Sequence, residues 1–428
     1  MENKYLRIRE SAEVSIALTD SQFDQLNQAS NDLRSDKEYW RSRMSLQDDR
    51  YLELTDISED ARAIFVAKAA DGHYRVKVHN AIGVIGLGGL TILVEPKIPL
   101  DHFSYIAQRA ILRDVRASKS KALMAAGDSF FEVLASWFLT ELESMLRKGL
   151  PRDYYAASGD LAYARGRVLA IPTVSRWLKG RAEVHAEFEE FDEDNSTNRI
   201  IKSALSCIAT SNSLHQDIKK RARRSFLTMR DVGVMSLIDV EDILSGRKSK
   251  GSPVLEYALY ILRGMGLSLS EGEVSSRTFL IPTPALMESG LREILRAGLA
   301  PVAVEKRGIR LGDTWLSVTP DALISRPPFT ADVKYKITKQ GWQRADLAQA
   351  VLFAAAFYSD LGVVLSFSSN ESVKLPAVPV GDLRVASVTW PVSENWTPNQ
   401  SEQLVVEDFK KLIAGKKTSV PAIVASLQ

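Results

Sequence analysis

The stretch from Thr319 to Lys336 constrains this chain more than any other: Thr-Pro-Asp-Ala-Leu-Ile-Ser-Arg-Pro-Pro-Phe-Thr-Ala-Asp-Val-Lys-Tyr-Lys. Two apolar runs flank a break. Asp321 to Ser325 reads as a strand, and Phe329 to Tyr335 as a second. Arg326-Pro327-Pro328 separates them, because proline lacks the amide donor that a central strand needs. Side chains alternate along a strand, so Asp332 and Lys334 share one face and Val333 takes the other. Hairpin pairing of the two strands brings Asp321 to that same face. Two carboxylates and one ammonium then surround a single point. Carboxylate oxygens suit a hard cation such as Mg²⁺, which keeps several waters and also binds phosphate oxygens. A metal so held activates water and neutralises charge on a phosphodiester. A neighbouring lysine orients or stabilises the attacking hydroxide. The competing reading of the same residues is a surface hairpin with solvated charges.

Composition narrows the classes. At 428 residues the chain exceeds one typical core, so two or three domains are expected. The net charge of +2 gives no global basic field, so a nucleic-acid surface must be local. The single cysteine, Cys207, excludes an internal disulfide framework and a cysteine-built zinc site. The five histidines show no metal-ligand spacing. The first residues lack an apolar h-region, and no run of about 18 apolar residues occurs, so neither a secretory signal nor a membrane span is expected. A cytoplasmic location fits.

The fold class expected is a multidomain α+β or α/β chain. Residues 1–100 read as a β-rich N-terminal domain, with alternating segments such as Leu6-Arg7-Ile8-Arg9, Tyr51 to Leu54 and Tyr74 to Val78. A short helix is expected from Ser21 to Asn31. The stretch Asp32 to Arg50 carries five arginines and lysines of note (Arg34, Lys37, Arg41, Arg43, Arg50) with Tyr39 and Trp40, and is either a solvated segment or an interaction arm. Gly86-Leu87-Gly88-Gly89 reads as a turn and not a nucleotide loop: no Gly-Lys-Ser/Thr follows, and a strand rather than a helix comes next.

Residues 101–250 read as a mainly helical middle region, with helices over Asp128 to Arg147 and Ser211 to Val232 and a capped helix after Asn195-Ser196-Thr197. The acidic run Glu187 to Asp194 reads as a solvated edge or as partners for nearby arginines, in preference to a metal site. Gly246 to Pro253 is the best linker candidate. Residues 251–428 read as helix (Val254 to Gly264), strand (Arg277 to Ile281), helix (Pro284 to Leu299), strands Val302 to Lys306, Trp315 to Ser325 and Phe329 to Tyr335, helix Arg344 to Ser359 and strand Gly362 to Ser368.

With Asp332-Val333-Lys334 at its centre, this last region resembles the PD-(D/E)XK nucleases, whose core order is helix, three strands, helix, strand. A mixed central sheet flanked by helices is implied. Two further residues fall where the resemblance places functional groups. Glu288 lies in the helix before the three strands, where family members often add a carboxylate to the metal site; an exposed helical glutamate is the plain alternative. Gln349 lies in the helix after Lys334, where RecB-like nucleases carry Gln-X-X-X-Tyr. Phe353 here replaces the tyrosine and leaves its hydroxyl role unfilled.

The resemblance extends further. Asn80-Ala-Ile-Gly-Val-Ile85, Leu93-Val-Glu-Pro-Lys-Ile98, Gly149-Leu-Pro-Arg-Asp-Tyr154, Ala164-Arg-Gly-Arg-Val-Leu169, Phe191-Asp-Glu-Asp-Asn-Ser-Thr-Asn-Arg199 and Ala322 to Lys336 are similar to the McrC family. It covers about Asn80 to Ser359. It implies the nuclease subunit of a McrBC-type restriction system, with the N-terminal β-rich part docking on a hexameric AAA+ GTPase, McrB-like, that recognises modified double-stranded DNA and is stimulated by this subunit. It implies Asp321 and Asp332 as Mg²⁺ ligands, Glu288 as a third carboxylate, and Lys334 and Gln349 as catalytic or supporting groups. Lys336 and Lys339 are candidates for phosphate contacts or a solvated lysine face. Two rival functions stay open: a non-catalytic subunit that stimulates the partner NTPase, and a stand-alone RecB-like nuclease.

Overall fold

The computed structural model describes residues 4–35, 64–69, 72–112, 129–211, 213–236, 238–239, 252–264, 278–312, 316–338, 341–369 and 375–418. The basic and aromatic stretch beyond Ser35, Tyr51 to Leu54, most of the expected linker at Gly246 to Pro253, Trp315 and Lys339 lie outside them.

The chain begins with β1 (Lys4–Arg9), β2 (Glu13–Ile16), helix α1 (Asp20–Ser35), β3 (Ile64–Lys68), β4 (Tyr74–Val78), β5 (Ala81–Leu87) and β6 (Leu90–Glu95). Strands β2, β4 and β3 form one small antiparallel sheet in that order. The β5–β6 hairpin turns at Gly88-Gly89, where Gly89 has φ +75°, a conformation that a residue with a Cβ rarely adopts. The glycine cluster is therefore a turn between strands. Next come α2 (Leu100–Ile111), α3 (Phe130–Leu146), β7 (Asp153–Leu161), β8 (Arg167–Val168), α4 (Ala170–Leu178), β9 (Val184–Asp192), α5 (Ser196–Thr210), α6 (Gln216–Thr228) and α7 (Pro253–Gly264). Ser129 and Glu132 close a reciprocal capping box on α3, and Asn195 caps α5 by accepting from the Asn198 amide.

The middle region is less helical than its sequence suggests. Strands β7, β9 and β8 form a three-stranded antiparallel sheet. The acidic run lies on β9 and the residues after it, and its carboxylates meet arginines: Arg167 to Glu187 at 3.7 Å, Arg152 to Glu193 at 3.2 Å and Arg199 to Asp194 at 2.7 Å. The helix expected from Ser211 begins only at Gln216. Ser211 instead ends α5, with its amide on Cys207 O and its hydroxyl 2.9 Å from that of Ser213, a local competitor for helical hydrogen bonds.

The last part holds β10 (Thr278–Pro282), α8 (Pro284–Gly298), β11 (Val304–Glu305), β12 (Ile309–Arg310), β13 (Ser317–Val318), β14 (Ala322–Ser325), β15 (Pro328–Ile337), α9 (Arg344–Ala356), β16 (Leu361–Ser368), β17 (Val378–Val380), β18 (Leu383–Pro391) and α10 (Pro398–Thr418). A mixed sheet runs in the order β11-β14-β15-β16-β18-β17. Its β15–β16 and β16–β18 pairs are parallel and the others antiparallel. Helices α8, α9 and α10 pack on it. The strand expected from Trp315 to Ser325 is two strands. Pro320 has no amide to give, so β13 pairs with β12 in a separate hairpin and the main sheet starts again at β14.

The molecule is mixed α+β, and its parts share one interior. β10 pairs with β5 and completes the sheet β1-β6-β5-β10. One buried cluster runs from Ile82 on β5 through Phe103 on α2 and Phe131 on α3 to Val333 on β15 and Ile413 on α10. A sheet and a core thus cross the divisions expected near residues 100 and 250. Among the described residues no helix is long and apolar enough to cross a membrane.

Helix α8, which backs the sheet, lies tightly against α2. A Cβ on Gly290 would stand 2.2 Å from Ile106 O, a backbone atom that cannot step aside. Gly290→Ala is expected to cost about 2–3 kcal/mol or more, read from the urea midpoint. Gly415→Ala, on α10 with nothing within 4 Å of the added carbon, is the control and should be neutral or slightly stabilising.

Candidate active site

Asp321 immediately precedes β14, and Asp332 and Lys334 lie on β15. The antiparallel register pairs Ala322 with Ala331, so one step further sets Asp321 opposite Asp332. Both are buried, at 8% and 3% exposure, an unusual placement for two carboxylates. Asp321 Oδ2 accepts from the Val333 amide at 2.7 Å. Arg292 of α8, itself buried, donates from Nη1 to Asp321 O at 2.9 Å. Lys334 Nζ lies 2.6 Å from Asp332 Oδ2 and donates to Gln349 Oε1 of α9, also at 2.6 Å. The alternation of one strand, the end of its neighbour and one helix therefore gather Asp321, Asp332, Lys334 and Gln349.

Glu288 is half-buried on α8, one helical turn before Arg292, and its charge acts on that guanidinium. Phe353 is buried one turn after Gln349. Arg292 was not singled out from the sequence. The only signal for it is its place four residues after Glu288 on the same helical face. Lys336 is matched by its own neighbours: its Nζ lies 2.6 Å from Asp346 Oδ2 and donates to Gln343 Oε1 at 2.7 Å.

Electrostatically, the site is under tension. Burial first, and the adjacent Asp321 charge second, push the Asp332 carboxyl up to about 7, while Lys334 pulls the other way. Asp332 Oδ2 is buried without an aligned hydrogen bond, although Lys334 Nζ is close enough to pair with it as a charge. Two facing buried carboxylates fit a hard divalent cation. Among the described residues no three His, Cys, Asp or Glu side chains gather as a metal cage. Water and substrate would have to complete the coordination, as they commonly do for Mg²⁺.

A second polar chain has the order Ser158, His185, Asp160, with Ser158 Oγ 3.2 Å from His185 Nε2 and His185 Nδ1 2.5 Å from Asp160 Oδ1. It lies on the exposed β7–β9 ladder, and Arg176 of α4 also takes the Asp160 carboxylate. Thr173 of the same helix hydrogen-bonds the His185 backbone. These contacts tie α4 to the ladder.

A protein-family model described as McrBC 5-methylcytosine restriction system component matches residues 76–367. The type IV methyl-directed restriction enzyme EcoKMcrBC of Escherichia coli strain K12 is 22% identical over 145 residues, which span 33% of this chain and 41% of that protein. The chain thus matches less than half the length of that relative. Among solved structures, a chain of the half-complex of Thermococcus gammatolerans McrB AAA+ hexamers with bound McrC superposes with TM-score 0.62 and 14% identity, covering 96% of this chain and 100% of that one. At that identity the likeness shows the fold.

The tension at Asp332 has a measurable sign. Its carboxyl titrates near 7 when folded and near 3.8 otherwise, so the folded state holds the extra proton and loses stability as pH rises between those values. Without divalent ions, Asp332→Asn should therefore be more stable than the native chain at pH 8 by on the order of a few kcal/mol, seen as a higher melting temperature. The gain should vanish near pH 4 and shrink when Mg²⁺ is added. Equal melting temperatures at pH 8 would remove the electrostatic account.

Proposed function

Because the chain belongs to the McrBC 5-methylcytosine restriction system component family, we propose that it is the nuclease subunit of such a system, a Mg²⁺-dependent endonuclease of the PD-(D/E)XK type. The observation that carries this reading is the meeting of Asp321, Asp332, Lys334 and Gln349 on one face of the mixed sheet. Asp321 and Asp332 would hold the ion; Glu288, expected as a third carboxylate, does not gather with them into a three-ligand group. Bound there, Mg²⁺ would supply an activated water and neutralise charge on the phosphodiester.

The chain's own groups do the rest. Lys334 carries a fixed positive charge into a buried site, where it orients the attacking oxygen and offsets charge that grows on the phosphate. Gln349 Oε1 holds the ammonium at 2.6 Å, so Lys334 does not search rotamers during the reaction. Arg292 holds the backbone oxygen of Asp321 and the Val333 amide holds one of its carboxylate oxygens, which fixes that carboxylate beside Asp332.

The partner follows from the relatives. The Thermococcus gammatolerans structure is of McrB AAA+ hexamers with bound McrC, and the Escherichia coli relative is a methyl-directed restriction enzyme. This chain would act in the cytoplasm with a McrB-like hexameric GTPase, which it stimulates and which selects modified double-stranded DNA. The cut would fall to the present subunit.

The test uses the purified chain with its GTPase partner, DNA carrying 5-methylcytosine and Mg²⁺. Asp332→Ala and Lys334→Ala should each lower cleavage at least about 100-fold while GTPase stimulation persists. Cleavage at the native rate by either variant would leave a regulatory subunit without nuclease chemistry. Cleavage in the absence of any GTPase would favour a stand-alone nuclease.

A further inference from the structure

Glu10, just beyond β1, is a buried carboxylate far from the site in sequence, with its side chain fully shielded from solvent. It has three hydrogen-bond donors. Tyr335 Oη donates to its Oε1 at 2.5 Å, the Lys97 amide donates to the same oxygen at 3.0 Å, and Thr283 Oγ1 donates to Oε2 at 2.6 Å. The Lys97 amide is shared with Tyr335 Oη at 3.2 Å. Lys97 Nζ stands 4.9 Å from the centre of the Tyr335 ring and 4.0 Å from Glu10 Oε2. Lys97 belongs to the Leu93 to Ile98 block, which the nuclease chemistry leaves without a role.

Tyr335 directly follows Lys334 on β15, and the strand is weakly held there. The pairing of β15 with β14 ends at Ala331. On the other edge the ladder to β16 is regular as far as Lys334 with Ser366, then jumps to Ile337 with Phe367. Tyr335 and Lys336 are thus bulged out of the ladder, a device that re-aims side chains at the cost of regular backbone bonds. Lys334 sits at the last regular rung. Only one edge of the sheet fixes its backbone, and the next residue has no rung. A tyrosine hydroxyl anchored on a buried carboxylate supplies the fixed point that the ladder lacks.

We propose that Glu10 and Tyr335 are positioning residues for Lys334, with Glu10 setting the depth of the bulged strand through the Tyr335 hydroxyl so that the ammonium meets Asp332 and Gln349. This rests on the nuclease reading given above. The β1 end, the Lys97 loop and the β10–α8 junction at Thr283 then act as a brace behind the catalytic strand. The brace acts on Lys334 through its neighbour Tyr335, whose side chain lies on the opposite face of the strand, and never contacts substrate.

The experiment measures single-turnover cleavage at saturating DNA, partner and Mg²⁺, with GTPase stimulation and the melting temperature recorded on the same preparations. Tyr335→Phe keeps the ring in place and removes only the hydroxyl. It should slow cleavage at least about tenfold and leave GTPase stimulation and DNA affinity unchanged. Glu10→Gln can still accept from Tyr335 and Lys97, so it should cleave near the native rate, while Glu10→Ala should match Tyr335→Phe. The double variant Glu10→Ala/Tyr335→Phe should be no slower than either alone, because both break the same Tyr335–Glu10 contact. Native-rate cleavage by folded Tyr335→Phe overturns the proposal, as does an equal fall in cleavage and GTPase stimulation, which marks a general structural loss. Should Glu10→Ala fail to fold, Tyr335→Phe alone decides. Asp332→Ala run alongside separates the two ideas: if it cleaves, the nuclease reading fails and this proposal with it; if it is inactive and Tyr335→Phe is fully active, only the positioning role is lost.

Discussion

Two buried carboxylates face each other across adjacent strands, and the surrounding structure is arranged to tolerate it. Asp321 and Asp332 repel, and burial strengthens that repulsion by removing water. Three neighbours limit the cost. The Val333 amide takes one oxygen of Asp321, Lys334 sets a positive charge against Asp332, and Arg292 binds the Asp321 backbone oxygen. None of them satisfies Asp332 Oδ2 with an aligned hydrogen bond. Unfavourable buried charge of this kind is a common mark of function, and a divalent cation would relieve it.

Rigidity around that charge comes from elements distant in the chain. α8 brings Arg292 from one side of the sheet, and its close contact with α2 at Gly290 leaves little room for it to shift. α9 brings Gln349 to Lys334. The opposite face of β15 is filled by Val333 and Tyr335, part of the same buried cluster as Phe103 and Phe367. The N-terminal sheet enters through Glu10 and Lys97. The segment that the family resemblance assigns to partner docking is thereby in physical contact with the strand that carries Lys334.

Much of this was legible from local pattern. Period-two alternation set Asp332 and Lys334 on one face of a strand, and the Arg326-Pro327-Pro328 break set Asp321 on the neighbouring one; the structure places the three together with Gln349. The helix start marked by Asn195 was readable for the same reason, since capping is a property of a few adjacent residues; the Ser129–Glu132 capping box was not singled out. What stayed hidden is non-local. No window of sequence tells that Thr278–Pro282 pairs with β5, or that β9 sits between β7 and β8. Nor does Lys336 announce that Asp346 and Gln343 will occupy its charge. The strand expected across Trp315 to Ser325 missed the interruption at Pro320, where the missing amide outweighs the apolar run on either side. Glu10 and Tyr335 are 325 positions apart, and their contact exists only because the β1 end and the bulge in β15 converge in the fold.

The most direct measurement is the proton count on metal binding. Calorimetric titration of the metal-free protein with Mg²⁺ near pH 6.5, repeated in buffers of different ionisation enthalpy, reads both the affinity and the protons released. An Asp332 carboxyl that is mostly protonated at that pH must ionise to become a ligand, so binding should release on the order of one proton, falling toward none at pH 9. The Asp321→Asn/Asp332→Asn protein should neither bind nor release. Binding with no proton released at pH 6.5, or binding that survives loss of both carboxylates, would contradict the claim that these two aspartates form the metal site.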